Sequence, residues 1–184
     1  MAARGEPAVF FDRDGTLIDD VGYPRDPAHV RLVDGAVEAL MRLRRAGFRL
    51  VVVSNQSGVG RSLVTEDEAR RVHERFTAEF GRRGVYLDDV RYCPHAPDAG
   101  CDCRKPAPGL VLAAAADLGI DLAASFMIGD KASDVEAGRR AGCSTVLLAP
   151  HGRATDGGPV DGADHVARDW PEVLGFVLGS AAPA

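Results

Sequence analysis

The run Ala8-Val9-Phe10-Phe11 stops abruptly at Asp12, as a strand buried on both faces of a sheet does at its carboxyl end. Leu50–Val53, Val90–Tyr92, Ser125–Ile128 and Thr145–Leu148 repeat the pattern of a short apolar run followed by polar or turn-forming residues. Helical periodicity fills the intervals. From Gly35, Val37, Leu40 and Leu43 keep helical spacing together with Ala36 and Ala39, and Gly47 supplies a stop. Thr65-Glu66-Asp67-Glu68 is a capping box opening a helix whose inner face carries Ala69, Val72, Phe76 and Phe80. Gly109–Leu118, Ser133–Ala141 and Pro171–Leu178 complete the helices, whereas Asp19–Asp34 reads as a long polar loop and Ser54–Gly60 as a turn-rich segment.

Strand and helix that alternate in this way predict an α/β fold: a Rossmann-like parallel sheet covered by helices on both faces. No linker marks a second domain, so residues 1–184 are expected to form one. Ligands of such sheets bind where strands end. Asp12, Ser54, the segment from Cys93 and Asp130 all follow predicted strands and are expected to converge on one edge.

Asp12 and Asp14 lie two apart on chain leaving a strand, where residues i and i+2 point the same way and both carboxylates can face one pocket. One can attack phosphorus while its neighbour handles protons. Gly15 permits a tight turn and Thr16 can hold it by a local hydrogen bond. Alone, Asp-x-Asp equally describes a solvated loop or the metal-binding pair of a glycosyltransferase. The full Phe10-Phe11-Asp12-Arg13-Asp14-Gly15-Thr16-Leu17, set directly after a buried strand, is far more specific.

The segment from Cys93 to Cys103 holds Cys93, His95, Cys101 and Cys103, enough soft ligands for a closed tetrahedral Zn²⁺ site with no position left for a catalytic water. A redox pair of surface thiols is the alternative. Cys143, far along the chain, is expected to pack as a small apolar side chain. His29, His73, His151 and His165 have no evident partner, and Trp170 reads as a packing anchor for the terminal helix.

The chain carries 22 Lys+Arg, of which the only lysines are Lys105 and Lys131. Each lies in a loop that follows chemistry-bearing residues, where a compact ammonium does something a forked guanidinium does not. A net charge of −5 and scattered basic residues give no electrostatic footprint for nucleic acid. No stretch reaches the apolar length of a membrane span, and Met1–Pro7 lacks a signal-peptide core, so a cytoplasmic protein with no membrane partner is expected. The absence of an exposed heptad pattern suggests a monomer.

Taken together, these motifs resemble the haloacid dehalogenase phosphatase superfamily over nearly the whole chain and in order. Phe11-Asp12-Arg13-Asp14-Gly15-Thr16 resembles the first motif and Val53-Ser54-Asn55-Gln56 the second. Arg104-Lys105-Pro106 resembles the third, and Ile128-Gly129-Asp130-Lys131 with Asp134 the fourth. The resemblance implies catalytic roles for Asp12 as nucleophile, through an aspartyl-phosphate, and for Asp14 as general acid and base. It also implies Mg²⁺ held by Asp12, Asp130 and the backbone carbonyl of Asp14. Ser54 and Asn55 would donate to the phosphoryl oxygens and Lys105 would offset their charge. Lys131 would orient substrate or acidic ligands, and Asp134 would cap the following helix or orient Lys131 rather than bind metal.

The cysteine loop narrows the resemblance to the branch of the heptose 1,7-bisphosphate 7-phosphatases and histidinol-phosphate phosphatases, which lack a large cap domain. Asp20-Val21-Gly22-Tyr23, Ser54-Asn55-Gln56-Ser57 and Arg104 are then expected at the substrate, and the zinc loop is expected to fix Arg104 and Lys105 over the pocket. Asp20-Val21-Gly22-Tyr23, Val33-Asp34-Gly35 and Ser54-Asn55-Gln56-Ser57-Gly58 look more like the heptose branch, with a small phosphorylated sugar as substrate in nucleotide-activated heptose synthesis. The spacing between His95 and Cys101 matches histidinol phosphatases, and Ser62 stands where many heptose-branch chains carry Gly. A zinc-stabilised binding module with a vestigial phosphatase fold is the non-enzyme alternative, disfavoured by the full set of motif residues.

Overall fold

The computed structural model describes residues 5–150, 155 and 162–180. Its one sheet has six parallel strands in the order β3-β2-β1-β4-β5-β6. The strands are β1 (Ala8–Phe11), β2 (Arg49–Asn55), β3 (Asp89–Cys93), β4 (Phe126–Gly129), β5 (Ser144–Leu148) and β6 (His165–Ala167). Helices α1 (Ala36–Arg45), α2 (Ser57–Gly60), α3 (Glu66–Gly81), α4 (Gly109–Leu118), α5 (Ala132–Ala141) and α6 (Trp170–Ser180) lie between and after them.

Alternating strand residues feed two cores. Val9, Phe11, Leu50, Val52, Ile128 and Val146 pack with Leu40 and Leu43 of α1, Val72, Phe76 and Phe80 of α3, and Val173 and Val177 of α6. Ala8, Phe10, Val51, Val53 and Met127 face the other way, onto Leu110, Val111 and Ala114 of α4. Phe10 and Phe11, adjacent and both fully buried, therefore anchor opposite layers. The capping box predicted at Thr65 is present, with Thr65 Oγ1 accepting from Glu68 N at 3.2 Å and Thr65 N donating to Glu68 Oε2 at 2.8 Å. Trp170 anchors α6 against Phe11, their ring centroids 6.2 Å apart. Cys143 is buried among apolar side chains, which pushes its thiol up to about 12.

Some elements differ from the sequence expectation. β2 runs on through Ser54 and Asn55, which pair with Tyr92 and Cys93, so these residues leave the sheet as strand rather than as turn. α2 is a single turn inside a segment too glycine-rich to read as helix. The edge strand β6 is three residues long and only partly buried, too short for a periodicity to show. His165 in it stacks on Phe176 at 4.7 Å, and His73 is half-buried beside Phe76 and Tyr92. His151 lies outside the described residues.

Ser62 is the one non-glycine with a positive φ among the described residues, at 57°. That left-handed conformation presses Cβ toward the backbone, at about 1–2 kcal/mol, which glycine avoids at an entropic cost of about 0.5–1 kcal/mol. Ser62→Gly is expected to raise stability by about 0.5–1 kcal/mol, read as a small upward shift of the urea midpoint at constant slope. A lower midpoint would show that the Ser62 side chain contributes more than its backbone costs.

Candidate active site

The strand order reverses between β1 and β4, where the chain runs outward to β2 on one side and to β5 on the other. Such a switch point opens a crevice at the carboxyl ends of the strands. Asp12 and Asp130 emerge there, locked side by side because Asp12 N donates to Ile128 O at 2.9 Å. The crevice widens into a cavity of about 570 Å³. Asp12, Asp14, Asp20, Gly22, Tyr23, Asn55, Gln56, Ser57, Arg104, Lys105 and Lys131 line it, joined by Pro106, Ser133 and Asp134. Loops after β1, β2, β3 and β4 thus meet at one place.

Lys105 is the centre of the charge arrangement. Its ammonium is 2.6 Å from Asp12 Oδ1, 2.7 Å from Val53 O and 2.7 Å from Asp134 Oδ1. Three acceptors match the three N–H donors of an ammonium, a geometry that a planar guanidinium does not reproduce. Burial opposes the charge on Lys105, but Asp12 and Asp134 more than offset it and raise its pKa. The backbone of Lys105 is fixed by a reciprocal pair with Asn55, whose Oδ1 accepts from Lys105 N and whose Nδ2 donates to Lys105 O, both at 3.0 Å. The side-chain amide of Asn55 is therefore engaged with the loop that carries Lys105.

Asp12, Asp130 and Asp134 bring carboxylate oxygens within 4.8 Å of one another. Burial pushes Asp130 up and Asp134 up to about 7, since Lys105 only partly offsets the desolvation of Asp134. Asp134 is spoken for: besides Lys105, its Oδ2 accepts from Lys131 N at 3.0 Å and caps α5. Lys131 Nζ reaches Asp20 Oδ2 at 3.2 Å, Asp14 O at 3.5 Å and Asp130 Oδ1 at 3.8 Å. Burial works against its charge too, yet Asp12, Asp130 and Asp20 raise its pKa. Gly15, at φ 87°, lets the turn pass over Asp130, because a Cβ there would sit 2.4 Å from Asp130 Oδ2. Hard carboxylate and carbonyl oxygens around excess buried negative charge suit a small divalent cation.

Asp14 is held by a second network. Arg13 Nε donates to both of its carboxylate oxygens at 3.2 Å, and Gln56 Nε2 donates to Oδ2 at 2.7 Å. Arg13, which the motif reading passed over, is 4% exposed and also donates to Gln56 Oε1 at 2.8 Å. Ser54 is buried below the cavity, accepting from Gln56 Nε2 at 2.7 Å and 3.5 Å from Asp14 Oδ2. Val21 turns away and is 51% exposed, lining a separate surface hollow beside Arg25 and His29. Thr155, equally invisible in the sequence pattern, donates from Oγ1 to the Asp130 carboxylate and from N to Asp130 O at 2.9 Å.

Behind the cavity, Cys93, His95, Cys101 and Cys103 converge with Sγ–Sγ separations of 3.1–3.6 Å and His95 Nδ1 3.2 Å from Cys103 Sγ. None is in a disulfide. Burial pushes the Cys103 thiol up to about 12; burial acts in the same sense on Cys101, but hydrogen bonds from Cys103 and Cys93 bring it down to about 7. Four soft donors at these spacings form a group that could hold a metal ion. The loop is tied to the cavity wall through α2: Gly60 N donates to Pro94 O at 2.7 Å, and a Cβ on Gly60 would meet Ala96 N at 2.5 Å.

A family model described as HAD-hydrolase-like matches residues 102–172. A relative from Photorhabdus laumondii, named D-glycero-beta-D-manno-heptose-1,7-bisphosphate 7-phosphatase, is 43% identical over 157 residues, 82% of this chain and 84% of its own length. The chain belongs to the haloacid dehalogenase family of phosphatases. An Escherichia coli K12 relative of the same name is 39% identical over 91% of this chain and 89% of its own length. Among solved members of the family, a D,D-heptose 1,7-bisphosphate phosphatase from B. bronchiseptica, complexed with magnesium and phosphate, superposes with a TM-score of 0.84 at 30% identity. That likeness covers 95% of this chain and 99% of the other. No helix of the described residues is long and apolar enough to cross a membrane.

Proposed function

We propose that this phosphatase removes the 7-phosphate of D-glycero-D-manno-heptose 1,7-bisphosphate, in the supply of nucleotide-activated heptose. The observation that carries the reading is the 39–43% identity to heptose bisphosphate phosphatases over most of the chain. The names of these relatives specify the β-anomer, which is the form to test first. Residues 1–184 act as one catalytic domain, cytoplasmic and monomeric in this reading.

Asp12 forms a bond from a carboxylate oxygen to phosphorus as the bond to the sugar oxygen breaks, and Asp14 passes its proton to that oxygen. The sugar leaves as an alcohol and Asp12 carries the phosphoryl group. Asp14, now ionised, takes a proton from water as the water oxygen attacks phosphorus. The bond to Asp12 then breaks, releasing inorganic phosphate and restoring both carboxyl groups. Asp12, Asp130 and the Asp14 carbonyl would hold Mg²⁺, with Lys131 beside them; the cation supplies charge neutralisation of the phosphoryl oxygens. Lys105 orients Asp12 and offsets charge on the transferring group, while Ser54 and Asn55 fix the wall and the Lys105 loop.

Arg104, Asp20, Gly22, Tyr23, Gln56 and Ser57 face the sugar end of the cavity in this assignment, and Val21 lies outside it. Arg104 lines the cavity, and one of its terminal nitrogens is buried without a hydrogen-bond partner, a donor that a substrate oxygen would satisfy. Steady-state kcat/KM on heptose 1,7-bisphosphate and histidinol phosphate, side by side with Mg²⁺, decides the substrate. A preference for histidinol phosphate would overturn the assignment.

Cys93, His95, Cys101 and Cys103 would hold structural Zn²⁺. Elemental analysis is expected to find about one zinc ion per chain. Its removal by a strong chelator should lower the thermal midpoint, whereas removal of Mg²⁺ alone should stop turnover without unfolding the chain. An unchanged midpoint in a chain freed of zinc would contradict the structural role.

A further inference from the structure

Arg13 is the only buried arginine among the described residues, and it stands away from the cavity lining. A guanidinium is costly to bury unless its donors are met, so its placement calls for partners. It has two. The fork closes back on its own chain neighbour, with Nε 3.2 Å from each Asp14 oxygen and a terminal nitrogen 3.0 Å from Oδ1. The same terminal nitrogen reaches Gln56 Oε1 at 2.8 Å, across 43 residues of sequence. Because Gln56 Oε1 accepts from Arg13, its Nε2 must turn the other way, to Asp14 Oδ2 at 2.7 Å and Ser54 Oγ at 2.7 Å. Arg13, Asp14 and Gln56 thus close a three-membered ring, two sides of which hold the Asp14 carboxylate while the third ties Arg13 to Gln56.

We propose that Arg13 and Gln56 are positioning residues that aim the Asp14 carboxyl group at the leaving-group oxygen. The inference rests on Asp14 being the proton-handling group. It gives Gln56 a task different from sugar contact, and gives Arg13 a task where none had been assigned. Arg13 does not reach the cavity and so acts only through Asp14 and Gln56. Lysine would keep the charge but has no planar fork to hold both oxygens at once. Errors of about 1 Å in a catalytic group cost on the order of 100-fold in rate.

The test compares Arg13→Lys and Gln56→Met with wild type in rapid-quench measurements of the first turnover, on phenyl phosphate and on p-nitrophenyl phosphate. Phenolate is the poorer leaving group and needs the proton from Asp14; p-nitrophenolate departs with much less help. The expected result is a first-turnover loss of about 10- to 100-fold on phenyl phosphate and under about 3-fold on p-nitrophenyl phosphate, seen in the rate at saturating substrate rather than in the half-saturating concentration. An equal loss on both substrates, or none on either, would overturn the proposal, since a merely structural role does not sense the leaving group. Gln56 is half-buried, and Gln56→Met decides the matter alone if Arg13→Lys does not fold. Asp14→Asn, run in parallel, separates the two claims: without leaving-group dependence there, the Asp14 assignment itself falls. Aryl phosphates keep the outcome independent of which sugar phosphate the enzyme prefers.

Discussion

Asp12→Asn is expected to lower kcat by about 10³-fold or more on any phosphomonoester the wild-type enzyme accepts, with little change in thermal midpoint. An amide oxygen is a far weaker nucleophile than a carboxylate, and the substitution barely changes volume. Lys105 loses one charge-assisted contact but keeps Val53 O and Asp134 Oδ1, each at 2.7 Å, so the site stays assembled. Parallel measurement of kcat and of the melting curve separates a chemical loss from a folding loss. Retained turnover in the folded variant would remove Asp12 from the mechanism.

Lys105→Met is expected to damage stability and activity together. The ammonium is fully buried between Asp12 and Asp134, and removing one partner of a buried ion pair costs about 3–5 kcal/mol because the other charges remain desolvated. Methionine is near in length, so the cost reports charge rather than a cavity. Urea unfolding should show a lower midpoint at an unchanged slope, and turnover should fall by about 100-fold or more as Asp12 loses its orientation and the phosphoryl group its counter-charge. Wild-type stability in Lys105→Met would mean that Asp12 and Asp134 shed their charge at no cost, contrary to the arrangement described.

The parts of this molecule that follow a period were legible from sequence. Phe10 and Phe11 announce a strand buried on both faces, Thr65 and Glu68 announce a helix start, and the aspartates after β1 and β4 fall where a parallel sheet gathers ligands. The four soft ligands of the cysteine loop sit close in sequence and meet in space. What stayed hidden depends on approach between distant segments. Nothing local to Arg13 or Gln56 says that they close on Asp14, and Thr155 reaches Asp130 across 25 residues. Asn55 lines the cavity where a substrate donor is expected, but its reciprocal pair with the Lys105 backbone could not be read, because that contact spans 50 residues. β6 was missed because three residues, of which only Ala167 is buried, carry no pattern.

The mechanism turns on a phosphoryl group resting on Asp12. Rapid acid quench of the enzyme with radiolabelled substrate, followed by peptide mapping, tests it directly. The label is predicted on the peptide containing Asp12 in wild type, and absent from Asp12→Asn. Label on no peptide under conditions of full turnover, or on a residue other than Asp12, would contradict the mechanism.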